Sequence, residues 1–156
     1  MTTQNYFQAR LSQGKMNEDF FKSIIEKDIK EKLKKNGDFD LFDFENENYK
    51  IELKTREVER NKYKTTIIGY DKIQQGLKYI EENKNIIFYF GFKKDGLFKF
   101  KLTKDNYKDF KISNIGCRFR ENKKPHLEIP VEILEFVCKE CPIQDEYSLR
   151  LQKGSQ

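Results

Sequence analysis

The stretch that most constrains this chain is Ile86-Ile87-Phe88-Tyr89-Phe90-Gly91-Phe92, a nearly unbroken run of β-branched and aromatic residues. Such a run has no polar side to turn toward water, which predicts a strand buried on both faces. A strand of that kind needs a sheet with further layers packed over it. The apolar share of the 156 residues is low, 37 %, but 14 Phe and 8 Tyr supply bulky core material and argue against a disordered chain. This length suits one domain, expected over residues 1–150, with residues 151–156 as a disordered tail.

The surrounding elements follow from periodicity. Phe20, Phe21, Ile24, Ile25, Ile29 and Leu33 lie close to helical spacing, predicting a first helix over 17–33 with Asn17 as its N-cap and Asn36-Gly37 as its stop. Residues 38–45 alternate apolar and acidic side chains as a strand does. A turn over Asn46-Glu47-Asn48 then leads into a return strand over 49–55, making a β-hairpin. Residues 56–70 read as a connecting loop ending in a short extended piece. Asp71 then caps a helix reaching Asn83, with Ile73, Leu77 and Ile80 on its apolar side. Lys94-Asp95-Gly96 turns the chain into a strand over 97–102. Beyond it, a short helix is expected over 105–110, a short strand over 115–120, and a strand passing into a helix at Pro130 over 128–137. The fold class expected from this order is α/β, a mixed central β-sheet flanked by helices.

Net charge is +5, with 31 basic residues interleaved among 26 acidic ones. The excess suits a polyanionic partner. It also suits a bland origin: Ala9 is the only alanine, tryptophan is absent, and Lys, Asn, Ile, Phe and Tyr abound, as an AT-rich coding sequence produces. No apolar run approaches the ~18 residues of a membrane helix, and the N-terminus lacks the apolar stretch of a secretory signal, so a soluble intracellular protein is expected. Three cysteines do not make a disulfide framework, which fits a reducing compartment. No P-loop, dinucleotide-binding glycine pattern, kinase motif set or nucleophile elbow is present.

The chemistry becomes legible at Ile51-Glu52-Leu53-Lys54. Period-two geometry sends Glu52 and Lys54 to one face of the strand while Ile51 and Leu53 pack on the other. A turn centred between Glu47 and Asn48 sets Asp43 directly opposite Glu52. Two facing carboxylates repel and call for a cation; Mg²⁺, or Mn²⁺ in its place, takes a few carboxylate oxygens plus water and leaves positions for a phosphate. Lys54 then orients the attacking water or meets the phosphate.

These residues resemble the PD-(D/E)xK nucleases over roughly residues 17–102. The core of that superfamily is a helix, a hairpin carrying acids and lysine, a second helix and a further strand. Asp43 matches the first acid and Glu52-Leu53-Lys54 the ExK element. The usual proline before the first acid is absent, and Asp40 and Asp38 are rival first acids in other turn registers; Asp43 suits a two-residue turn. Glu18 stands where many members carry a glutamate that completes the metal site. Gln75 and Tyr79 form a Gln-x3-Tyr pattern similar to the recombination-nuclease and CRISPR-associated exonuclease branch, with Gln74 as an alternative glutamine. The stretch from Glu52 to Lys72, including Arg56, Thr65 and Thr66, looks like small nucleases of large DNA viruses and phages, and the core is similar to Holliday-junction resolvases.

The resemblance implies a restriction-endonuclease-like core and a Mg²⁺-dependent nuclease, a phosphodiesterase acting most readily on DNA. Asp43, Glu52 and the Leu53 carbonyl would hold the metal, Lys54 would position the water, and Glu18 and Gln75 would support the site. Phosphate and strand contacts are expected from Arg56, Lys64, Lys72, Tyr79, Arg118 and Arg120. Several such nucleases work as dimers. Each residue also has a plainer role: Ile-Glu-Leu-Lys is common on solvated edges, Glu18 suits any first helical turn, and Tyr79 four residues after Gln75 suits a packed ring. Two alternative functions therefore stand beside the nuclease. One is a non-catalytic nucleic-acid-binding module of the same fold, and the other is a structural or partner-binding α/β protein. Separately, Cys117, His126, Cys138 and Cys141 are ligand types for structural Zn²⁺, at irregular spacing; core cysteines are the plainer reading.

Overall fold

The computed structural model describes residues 18–116 and 123–139. In chain order the elements are helix α1 (18–29), β1 (Lys34–Lys35), β2 (Phe44–Glu45), β3 (Tyr49–Arg56), β4 (Thr65–Gly69), helix α2 (Tyr70–Glu81), β5 (Asn85–Phe92), β6 (Gly96–Leu102), β7 (Ile112–Ile115), β8 (Lys124–Pro130) and β9 (Glu135–Cys138). Single 3₁₀ turns fall at Arg60–Lys62 and Val131–Ile133. Among the described residues β1-β2-β3-β5-β6-β9 form one sheet and β4-β8-β7 a second. The first is mixed: β3 and β5 are parallel, joined through β4 and α2, and its other pairs are antiparallel. The fold is α/β.

The apolar run does what its composition dictates. Every residue of β5 after Asn85 is buried. Ile87 and Tyr89 pack with Phe21 and Ile25 of α1 and with Phe44, Ile51, Leu53 and Leu97. Ile86, Phe88 and Phe90 face the other way, into a core shared with Ile73 of α2 and Leu127 and Ile129 of the second sheet. The Tyr89 hydroxyl donates to Asp28 Oδ2 at 2.6 Å and Lys99 Nζ lies 2.9 Å from the same oxygen, tying α1 to the sheet. No described helix is long and apolar enough to cross a membrane.

Several expected elements change shape for local reasons. The first helix ends at residue 29 rather than 33, because Lys30 adopts φ 60° and the Glu31 N–H closes back onto the Glu26 carbonyl at 3.2 Å. Leu33 keeps its place in the core from beyond that turn, so the apolar spacing runs on where the helix does not. Its expected cap, Asn17, lies outside the described residues. The strand expected over 38–45 shrinks to Phe44–Glu45. Asp40 Oδ2 accepts the Gly37 N–H at 2.8 Å and Asn36 Nδ2 donates to the Phe42 carbonyl at 2.9 Å, side-chain bonds that replace a ladder with a loop. Helix α2 begins at Tyr70 with Gly69 in the cap position, so Asp71 is an acid of the first turn and not the N-cap.

The short extended piece expected at the end of the 56–70 loop is β4, Thr65–Gly69, which pairs with β8 from Thr65↔Pro130 to Gly69↔His126. Residues 105–110 form turns instead of a helix, with Lys108 N–H on Asp105 O and Phe110 N–H on Tyr107 O. The strand expected over 115–120 lies at Ile112–Ile115, and residues 117–120 are outside the described set, as are 140–156 with the expected tail. Pro130 starts only one 3₁₀ turn, after which Glu135–Cys138 joins the edge of the main sheet against β6.

Gly96 turns β5 into β6 at φ 101°, and a Cβ there would collide with the Cys138 carbonyl. Gly96→Ala is therefore expected to cost about 2 kcal/mol or more of stability, read as a lower urea midpoint.

Candidate functional site

The hairpin turn places the candidate site. Asn46 Oδ1 accepts the N–H groups of Asn48 and Tyr49, each at 2.8 Å, an Asx turn that closes the loop between β2 and β3. Asn48 Nδ2 donates to Glu31 Oε1 at 2.8 Å and anchors the turn beside the end of α1. The resulting register is Glu45↔Lys50 and Phe44↔Ile51, the one expected from a turn centred between Glu47 and Asn48. Carried one pair further, it sets Asp43 across from Glu52. There the ladder changes: Asp43 N–H donates to Ile51 O at 2.9 Å, while Asp43 Oδ2 accepts the Leu53 N–H at 2.8 Å. Asp38 and Asp40, the rival first acids, are exposed in the preceding loop.

Alternation along β3 divides its residues as expected. Ile51 and Leu53 pack on the α1 side, while Glu52 and Lys54 stand opposite Phe88 and Phe90, whose rings belong to the α2 side. Glu52 is only 2 % exposed. Lys54 Nζ lies 3.5 Å from its Oε1 and Lys72 Nζ, from α2, 2.6 Å from its Oε2. Oε2 is fully buried, and Lys72 is the cation against it. Burial, and then the neighbouring Asp43 charge, push the Glu52 carboxyl up to about 7, with the two lysines pulling the other way. Burial draws the Lys54 amine below its ordinary range, partly offset by Glu52.

Glu18, in the first described turn of α1, joins this group from the other side of Asp43. Its carboxyl is raised by burial, by the Asp43 charge and by a side-chain hydrogen bond with Asp43; Lys35 at 3.7 Å opposes the shift. Lys35 is not singled out by the sequence, because it lies between the helix expected over 17–33 and the strand expected over 38–45, and its approach to Glu18 depends on how the chain turns back along α1.

The other expected residues divide. Lys72, Gln75 and Tyr79 fall on one stripe of α2 by their spacing. Lys72, expected at a phosphate, is the nearest cation to Glu52. Tyr79 packs edge-on against Phe42 at 6.1 Å, with Lys50 Nζ 4.5 Å over its ring. Gln75 is half-buried between them along the stripe. Arg56 donates from Nη2 to Ile67 O at 2.6 Å and from Nε to Thr66 Oγ1 at 3.3 Å, bracing β3 against β4. Lys64 is exposed just before β4. Arg118 and Arg120 lie outside the described residues, as do Cys117 and Cys141 of the zinc series. Of its other members, His126 lies on β8 with Nδ1 2.8 Å from Lys124 O, and Cys138 packs on the α1-side core.

Among the described residues no group of three or more His, Cys, Asp and Glu side chains is arranged to hold a metal. The Asp43–Glu52 pair nonetheless meets the smaller requirement of Mg²⁺, which binds through one or two carboxylates and keeps several waters. Glu52 is buried close enough to Asp43 for the Asp43 charge to raise its carboxyl, and the donor set is hard oxygen. In an extended strand a residue's N–H and C=O point to the same edge. With the Leu53 N–H on Asp43, its carbonyl faces that edge too. The chain matches no protein-family model, no curated protein and no solved structure.

Proposed function

We propose that this chain is a metal-dependent nuclease of PD-(D/E)xK type that hydrolyses phosphodiester bonds of nucleic acid, DNA foremost. The observation that carries the reading is the near-complete burial of Glu52 beside Asp43, with two lysines at its edge. Carboxylates crowded in this way are unfavourable unless a cation or proton joins them. The order of elements supports the same reading: α1, the β2–β3 hairpin with the acids, α2, and β5 parallel to β3 follow the restriction-endonuclease-like plan.

In this reading Asp43, Glu52 and the Leu53 carbonyl would hold Mg²⁺ or Mn²⁺. The ion supplies charge stabilisation for the phosphate and a more acidic water. Lys54, steadied by Glu52, donates to the water or to a phosphate oxygen and orients the attack. Its lowered basicity makes an uncharged amine available at a lower pH than an exposed lysine allows. Glu18, its carboxyl raised by burial and by the Asp43 charge beside it, supports the outer side of the site. Lys72 neutralises Glu52 when no metal is present and is positioned to turn to the phosphate when one is.

Incubating the protein with plasmid, linear duplex, single-stranded DNA, RNA and a four-way junction, in Mg²⁺, Mn²⁺ or EDTA, tests this. Cutting that needs the metal is the expected result. One observation favours a second reading, a nucleic-acid-binding module that does not cut: Lys54 and Lys72 already balance Glu52 without metal. Binding equal in EDTA and Mg²⁺, with no product from any substrate, would select it.

A further inference from the structure

Where β3 and β5 end and β4 begins, a cleft of about 340 Å³ opens among Arg56, Val58, Arg60, Tyr63, Thr66 and Phe92. Its walls are mainly apolar, with two guanidinium groups in them. Arg60 is held in place by its Nη2 on Val131 O at 2.8 Å and by the Phe98 ring 5.0 Å beneath it, yet its Nε is buried with no acceptor. Arg56 is fixed by Thr66 and Ile67. Glu59, the acid among the lining residues, has its carboxylate 3.7 Å from Lys94 Nζ. Tyr63 stands at the mouth, 61 % exposed.

We propose that this cleft takes one unpaired nucleobase of the strand whose phosphate lies at Glu52 and Lys54. The inference deepens the nuclease reading and rests on it for the nature of the ligand. Arg56 follows Lys54 on the same face of β3, about 6.6 Å along the strand, a span similar to one nucleotide step of an extended single strand. A phosphate at Lys54 therefore delivers its neighbouring base to the cleft. An apolar recess with two arginines among its lining residues suits a π-face. A base stacked in a duplex does not reach a concave site, so the occupant is single-stranded or extruded.

The test uses short DNA strands in EDTA, where nothing is cut. One strand is abasic at every position except a central 2-aminopurine, and the other is wholly abasic; both carry an end label for anisotropy. The wild type is expected to bind the first roughly tenfold more tightly, with a change in 2-aminopurine fluorescence. Val58→Trp, which fills the cleft away from Glu52 and Lys54, is expected to remove the preference and leave binding of the wholly abasic strand unchanged. Tyr63→Ala, an exposed position, is expected to lower the preference and serves if Val58→Trp does not fold. Equal wild-type affinity for both strands, or an undiminished preference in a folded Val58→Trp protein, would overturn the proposal. Displacement of the strand by an equal concentration of free 2-aminopurine deoxyriboside would overturn the assignment to a strand in favour of a free nucleoside. Metal-dependent plasmid cutting is read separately, so a base preference without cutting would count against the nuclease and not against the cleft.

Discussion

Glu52→Ala and Lys54→Ala are each expected to lower the single-turnover cleavage rate at saturating Mg²⁺ by roughly a thousandfold or more, the scale on which removal of a group stabilising transition-state charge is felt. Neither change should unfold the protein. Glu52 is a buried carboxyl whose ionised form is costly to keep in the core, so its truncation relieves a penalty while leaving a small cavity. Lys54 is partly exposed, and Lys72 remains beside Glu52 when it is gone. Asp43→Asn makes the sharper chemical test. An asparagine oxygen can still accept the Leu53 N–H that Asp43 Oδ2 accepts at 2.8 Å, so hairpin geometry is kept and only the charge is lost. Full activity in any of these three proteins, pure and folded, contradicts the assignment.

The second large effect is on stability. An unfolded Glu52 titrates near 4.5 and the folded one near 7. Below the lower value both states hold the proton and the carboxyl costs nothing. Between the two, the folded state keeps a proton that the unfolded state has lost, and stability falls as pH rises. Above the upper value the full penalty is present, on the order of 3 kcal/mol. Lys54 acts with the opposite slope at higher pH, because its lowered folded pKa makes stability recover as it loses its proton. In EDTA the melting temperature is therefore expected to drop between pH 5 and pH 8. Millimolar Mg²⁺ should restore it at pH 8 and do little at pH 5.5, where the proton competes for Glu52. Glu52→Gln should abolish both trends; a wild-type curve flat in pH and indifferent to Mg²⁺ contradicts the site's electrostatics.

What was readable in the sequence is what local periodicity determines. The alternation of Ile51, Glu52, Leu53 and Lys54 and the Asn46-Glu47-Asn48 turn are enough to give the register Glu45↔Lys50 and Phe44↔Ile51, and Asp43 follows just past the end of that ladder, with its Oδ2 on the Leu53 N–H. The double burial of β5 follows from a run with no polar face. The second sheet was not readable, because β4 is a short stretch paired with β8 from far along the chain, and β8 contains Pro125 and Pro130. The end of α1 was missed because Lys30 adopts a left-handed conformation without a glycine to signal it. Lys72 was visible as a cation on the α2 stripe, but its place on Glu52 depends on how the helix lies across β3. Arg56 is expected from sequence to meet a phosphate, and its bonds to Thr66 and Ile67 depend on β4 lying beside β3, a placement that local periodicity does not determine.

The central claim is that Asp43 and Glu52 together seat a divalent cation, and calorimetric titration of the metal-free protein with Mn²⁺ at pH 8 addresses it without relying on any substrate. The account predicts saturable binding by the wild type, at a pH where Glu52 has lost its proton, and loss of that binding in Glu52→Ala and Asp43→Asn. No saturable heat from the wild type, or the same isotherm from all three proteins, would contradict it.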